Sequence, residues 1–110
     1  MLIKVQMKSG KSQEFQFDKR QVTIGSSPIC DIVIPDSCIS SSHLVITQVG
    51  PYFYVQDQGS SQGSFIMDRK LTPGEKYQFA TYFPVQIAQG ISIHLGRSSL
   101  KSEDISLVAA

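Results

Sequence analysis

Apolar and polar residues alternate along this chain with a period of two. Ile3, Val5 and Met7 fall on one face, a Ser9-Gly10-Lys11 turn follows, and Phe15 and Phe17 resume the alternation. The same spacing recurs at Val22 and Ile24, Ile32 and Ile34, Leu44 and Ile46, Phe53 and Val55, and Phe65 and Met67. Residues two apart in an extended chain point to the same side, so each pair marks one face of a strand. Gly25, Pro35, Gly50-Pro51, Gly59, Gly63 and Pro73-Gly74 interrupt these runs at intervals of roughly ten residues, the rhythm of a β-sandwich. No window repeats its apolar residues at the i, i+3, i+4, i+7 spacing of an amphipathic helix. The pattern therefore predicts an all-β sandwich with Ile24, Ile32, Ile34, Leu44 and Ile46 in the core between its sheets.

Toward the C-terminus, Tyr77-Gln78-Phe79-Ala80-Thr81-Tyr82-Phe83 is the most aromatic segment, followed by Pro84, Val85 and Ile87. Gln89-Gly90 then turns into Ile91, Ile93 and Leu95, with His94 on the alternate, solvent-facing side. The stretch from Leu71 to Gly90 is expected to hold an extra edge hairpin. Asp104 to Val108 is expected to form a closing strand near Met1.

The 110 residues fit one domain, 1–110, read as a module of a longer protein. Net charge is +1 and the isoelectric point is about 7.8, with no cluster of Lys or Arg. A nucleic-acid surface needs a basic stripe, so that partner class is excluded. No run approaches the ~18 apolar residues of a membrane span, so no membrane contact is expected of this segment. The opening Met1-Leu2-Ile3-Lys4-Val5 alternates like a strand instead of forming the apolar core of a signal peptide, so the expected location is cytoplasmic. Cys30 and Cys38 could form a disulfide, but two isolated cysteines without a signal peptide fit reduced thiols better. No set of tightly spaced ligands supports a metal, and no cofactor or small-molecule substrate is implied.

The candidate chemistry lies in the loops. V-T-I-G-S-S-P-I-C-D-I-V-I-P-D-S-C-I-S-S-S-H-L-V-I-T opens at Val22, and V-Q-D-Q-G-S-S-Q-G-S-F-I-M follows from Val55. Each loop carries small hydroxyl side chains suited to holding an oxyanion or a peptide backbone. This arrangement resembles the forkhead-associated (FHA) domain, whose members carry Gly-Arg, Asp-Ile, Ser-x-x-His and Asp-x-x-Ser-x-Asn-Gly-Thr in that order. Gly25-Ser26 stands at the first motif, Asp31-Ile32 at the second, Ser40-Ser41-Ser42-His43 at the third, and Asp57, Ser60, Gln62, Gly63 and Ser64 at the fourth. The resemblance runs over roughly 70 residues in matching order and spacing.

It implies a SMAD/FHA sandwich of about eleven mostly antiparallel strands and a protein or phosphopeptide partner. It also assigns roles. Ser40 becomes a phosphate donor, Ser41 and Ser61 become further phosphate contacts, and Gln62 takes the place of the Asn that clamps the peptide backbone. Gly25, His43 and Gly63 become structural supports, with His43 bracing the loop from behind. Ser26 replaces the phosphate-gripping Arg. A charge-assisted hydrogen bond contributes roughly 1.5–3 kcal/mol, so losing a two-pronged guanidinium costs about 2–4 kcal/mol, or some 30- to 1,000-fold in affinity.

Simpler readings exist for single residues: serines in tight loops cap turns, and Asp31 and Asp57 fix turns at strand ends. Arg20, Arg69 and Arg97 read as surface charges. Gly59-Ser60-Ser61-Gln62-Gly63 matches a hydrolase nucleophile elbow in letters only, because a strand follows where that motif needs a helix. Two functions remain open. One is a non-catalytic docking module with weakened or lost phosphothreonine recognition. It would be similar to the cytoplasmic FHA-like domains of bacterial type III secretion inner-membrane-ring proteins. The other is a working phosphothreonine-peptide reader in signalling.

Overall fold

The computed structural model describes residues 1–96. Eleven strands make up the fold: β1 (Leu2–Gln6), β2 (Ser12–Gln16), β3 (Gln21–Gly25), β4 (Ile32–Val33), β5 (Leu44–Val49), β6 (Tyr52–Asp57), β7 (Phe65–Ile66), β8 (Arg69–Lys70), β9 (Lys76–Phe79), β10 (Val85–Ala88) and β11 (Ile91–Gly96). They form a six-stranded sheet in the order β2-β1-β11-β10-β7-β8 and a five-stranded sheet in the order β4-β3-β5-β6-β9. All pairings are antiparallel except β3 with β4. Among the described residues no helix is long and apolar enough to cross a membrane.

The period of two becomes the core. Ile3 and Val5 of β1, Val22 and Ile24 of β3, Leu44 and Ile46 of β5, and Ile91, Ile93 and Leu95 of β11 are buried, while their neighbours face outward. Ile32 and Ile34 are buried as the alternation predicts. The β1–β2 turn closes on Gly10, whose φ of 95° suits a residue without a Cβ. His94 lies on the outer face of β11, half-buried, with Nε2 2.9 Å from the Ser92 hydroxyl. Burial first, and Lys4 second, hold its pKa below the ordinary histidine value.

Two expectations need correction. The Leu71–Gly90 stretch is not an edge hairpin: β9 ends the five-stranded sheet and β10 lies inside the six-stranded one. Phe79 and Val85 are both buried, so the chain fills the core from one sheet and then crosses to the other. The edge hairpin is β7–β8, earlier in the chain. Second, Met67 does not continue the strand begun at Phe65. It sits in the two-residue β7–β8 turn at φ 50°, 70% exposed, and Asp68 follows at φ 66°. β1 is flanked by β2 and β11. The expected closing strand at Asp104–Val108 lies outside the described residues.

Candidate peptide-binding loops

Three loops meet at one end of the sandwich: the β3–β4 loop after Gly25, the β4–β5 loop through Ser40, and the β6–β7 loop through Ser61. Backbone bonds join the first two. The Ser26 N–H donates to the Ser40 carbonyl at 3.0 Å, and the Ser27 N–H to the Ser41 carbonyl at 3.2 Å. This approach explains Gly25, because a Cβ there would overlap the Ser41 carbonyl oxygen. The Cys30 thiol also donates to that oxygen at 3.2 Å, and both cysteines are free thiols.

The third loop is tied to the second through serines. The Ser61 N–H donates to the Ser40 hydroxyl at 3.0 Å, and the two hydroxyl oxygens lie 3.3 Å apart. The Ser40 oxygen thus accepts from the backbone and keeps its own proton to donate. Ser61 and Ser41 are exposed at this mouth and Ser26 is half-buried beside it, whereas Gln62, also exposed, borders a surface with Phe65, Asp68, Gln86 and Gln89.

His43 fastens the assembly from inside. It is fully buried, and the Ser40 N–H donates to its Nδ1 at 3.1 Å. The network assigns the proton to Nε2, which donates to the Gly63 carbonyl at 3.0 Å. One imidazole therefore spans both loops.

Asp57 was absent from the sequence-derived site set, yet it holds the β6–β7 loop in shape. Only 1% exposed, its carboxylate accepts from the Gly59 and Ser60 N–H groups at 2.8 and 2.9 Å and from the Ser60 and Ser64 hydroxyls, both at 2.6 Å. The Ser60 hydroxyl accepts the Gly63 N–H in turn, at 3.0 Å. Burial pushes this carboxyl up, but the bonds from Ser60, Ser64 and Gly59 outweigh burial and leave its pKa below the ordinary 3.8. The Asp-x-x-Ser spacing with Ser64 beyond it was the signal available for this role. Asp31 serves the β3–β4 loop in a similar way. It pairs with Lys19 at 2.7 Å and accepts the Thr23 N–H at 2.9 Å, and Lys19 is the main cause of its lowered pKa.

The mouth is rich in donors and poor in charge. Among the described residues no Lys or Arg side chain hydrogen-bonds to Ser26, Ser40, Ser41 or Ser61, and Lys19–Asp31 is the only ion pair. Arg20 precedes β3 at the far end, Arg69 is exposed on β8, and Arg97 lies outside the described residues. Sequence reasoning missed Lys70. It pairs across the hairpin with Phe65, and its Cε lies 3.0 Å from where a Cβ on Gly63 would be.

The FHA domain family model matches residues 22–96. The chain belongs to the FHA domain family. Its relatives share the fold at low identity. The FHA domain of the CT664 protein from Chlamydia trachomatis is 24% identical with a TM-score of 0.72, over 88% of this chain and 96% of that one. The N-terminal FHA domain of Rad53p from S. cerevisiae, solved in complex with a phosphothreonine peptide, is 17% identical with a TM-score of 0.69, over 87% and 94%. Chloroplastic zeaxanthin epoxidase from Oryza sativa subsp. japonica is 31% identical over 96 residues. That match takes in 80% of this chain but only 14% of the epoxidase. FHA domains are protein- and phosphopeptide-interaction modules, so an interaction role follows from membership.

Proposed function

We propose that this FHA domain is a non-catalytic docking module that binds a partner protein with weakened or lost dependence on phosphothreonine. One observation carries the reading: the hydroxyl cradle is built and braced, but among the described residues no Lys or Arg side chain bonds to the mouth, where the resemblance sets Ser26 in place of the family's Arg. A neutral hydroxyl on a short stem supplies one donor where a guanidinium supplies a charged fork. In this reading Ser26, Ser40, Ser41, Ser61 and Gln62 meet the partner, and Gly25, His43 and Gly63 hold them in place. The domain then serves as a cytoplasmic module of a longer chain, of the kind found in bacterial type III secretion inner-membrane rings.

A second reading, a working phosphothreonine reader, draws on the paired Ser40 and Ser61 hydroxyls, 3.3 Å apart, which can turn a proton toward an incoming oxyanion. The similar fold of the Rad53p domain bound to a phosphothreonine peptide also favours it. Calorimetry of the native domain against matched phosphothreonine and threonine peptide libraries separates the two. Docking without phosphate predicts no saturable binding that depends on the phosphate. Tight binding abolished by phosphatase would make the domain a reader.

A further inference from the structure

The two sheets do not close on each other at β8 and β9. β8 ends the six-stranded sheet and β9 ends the five-stranded one. A groove of about 510 Å³ spans these two edges, walled by Ile66, Leu71, Tyr77 and Phe83 with Arg69 and Lys70 at its rim. We propose that this groove docks an extended segment of a partner protein in which an apolar side chain is flanked by carboxylates. The proposal deepens the docking reading above, on which it rests, by giving it a surface on the β8–β9 side of the sandwich, which Lys70 connects to the β6–β7 loop at Gly63.

Three independent features support that occupant. The backbone groups of Lys76–Phe79 bond only to β6 among the described residues, so the outer edge of β9 offers an unpaired row of donors and acceptors. An extended peptide satisfies such an edge by adding a strand. The groove is also bordered by large apolar side chains in water: Met67 is 70% exposed, Phe83 41%, and Tyr82, edge-on to Phe83, 76%. Met67 is held there in a left-handed conformation that disfavours any residue with a Cβ, so exposure and backbone strain coincide on the groove rim. An apolar side chain seated in the groove would remove this surface from water.

Charge selects the flanks. Arg69 and Lys70 are exposed, and neither has an ion-pair partner among the described residues. The neighbouring acids are Asp68 in the turn and Glu75, whose Oε1 accepts the Tyr77 hydroxyl at 3.3 Å. Arg69 and Lys70 are neighbours in β8, so their side chains leave opposite faces of the strand. The rim presents one cation to either side, each without a bonded counterion among the described residues, for carboxylates flanking an apolar side chain.

The test is an amide-shift titration of the full chain with a synthetic peptide of about six residues alternating Asp or Glu with Val or Leu. Saturable shifts are expected at Arg69, Lys70, Tyr77 and Gln78. Reversing both cations (Arg69→Glu with Lys70→Glu) should weaken binding about tenfold or more, and Arg20→Glu at the far end should leave it unchanged. Phe83→Ser should weaken binding without altering charge, and unshifted amides in the β3, β5 and β6 core will show that these variants stay folded. No saturable shift at millimolar peptide would overturn the proposal, as would equal affinity in the charge-reversed variant. So would shifts confined to Ser40 and Ser61, or self-association of the free chain that buries the same amides. None of these outcomes bears on phosphate dependence, which is read separately at the loop mouth.

Discussion

Replacing His43 should unlatch the loop mouth from behind, and the structure sets the size of the effect. The imidazole accepts the Ser40 N–H and donates to the Gly63 carbonyl, both in a site closed to water. His43→Ala removes two partners and leaves an N–H and a carbonyl unpaired. An orphaned buried group costs about 1–3 kcal/mol, and the vacated ring volume adds a cavity penalty. Water entering the vacated space would recover part of this, so a net loss of about 2–4 kcal/mol is expected. For a domain of this size that lowers the melting temperature by roughly 10–25 °C.

Two further variants divide the effect. The Asn amide can place an acceptor near the Nδ1 position and restore only the Ser40 bond, whereas Gln can place a donor near Nε2 and restore only the Gly63 bond. Both should fall between native and Ala in calorimetric or denaturant unfolding. Nitrogen-detected spectra should show a neutral ring protonated at Nε2. A His43→Ala variant within about 0.5 kcal/mol of native would refute the bracing role, since that range is typical of surface substitutions without such contacts.

Further expectations follow from other contacts. Asp57 has a folded pKa below 3.8, so its contribution to stability is complete above that value and is lost as pH falls through the lower folded pKa. Asp57→Asn should therefore flatten the acid side of a melting-temperature profile, and an unchanged profile would deny the carboxylate this role. Gly25→Ala drives a methyl into the Ser41 carbonyl and should cost about 1–3 kcal/mol or more, with amide shifts at Ser26 and Ser40. A fully stable variant would mean that the two loops separate more easily than their hydrogen bonds imply. The paired change Met67→Asn and Asp68→Gly suits a turn with positive φ at both positions and should stabilise by about 1 kcal/mol in denaturant titration. No gain would show that the Met67 turn is not strained.

Much of the loop end was legible from local pattern. Gly25 ends β3, while Ser40, His43, Ser61 and Gly63 sit between strands, and alternation in the flanking strands placed those connections at one end. The inward faces of β3 and β5 followed from which alternate residues were apolar. What was hidden depended on partners distant in sequence. Leu71–Gly90 contains two strands that local periodicity detects, but the sheet each one joins depends on whether Phe79 and Val85 are buried. The β7–β8 hairpin turns on Met67-Asp68 and lacks the Asn-Gly or Asp-Gly signal of a tight turn, so Lys70 could not be placed beside Gly63. Asp57 was legible as a turn residue, but its four bonds depend on the loop folding back to bring Ser64 beneath it.

The proposal's central claim is that the mouth is an intact cradle to which, among the described residues, no Lys or Arg side chain bonds. Calorimetric titration of phosphothreonine peptides against the native domain and a Ser26→Arg variant tests it most directly. A restored charged fork should return about 2–4 kcal/mol, so the variant should bind some 30- to 1,000-fold tighter than the native chain. The gain should shrink as salt rises, because a charge pair at an exposed site is screened. Phosphate-dependent binding of equal strength in both proteins would contradict the account.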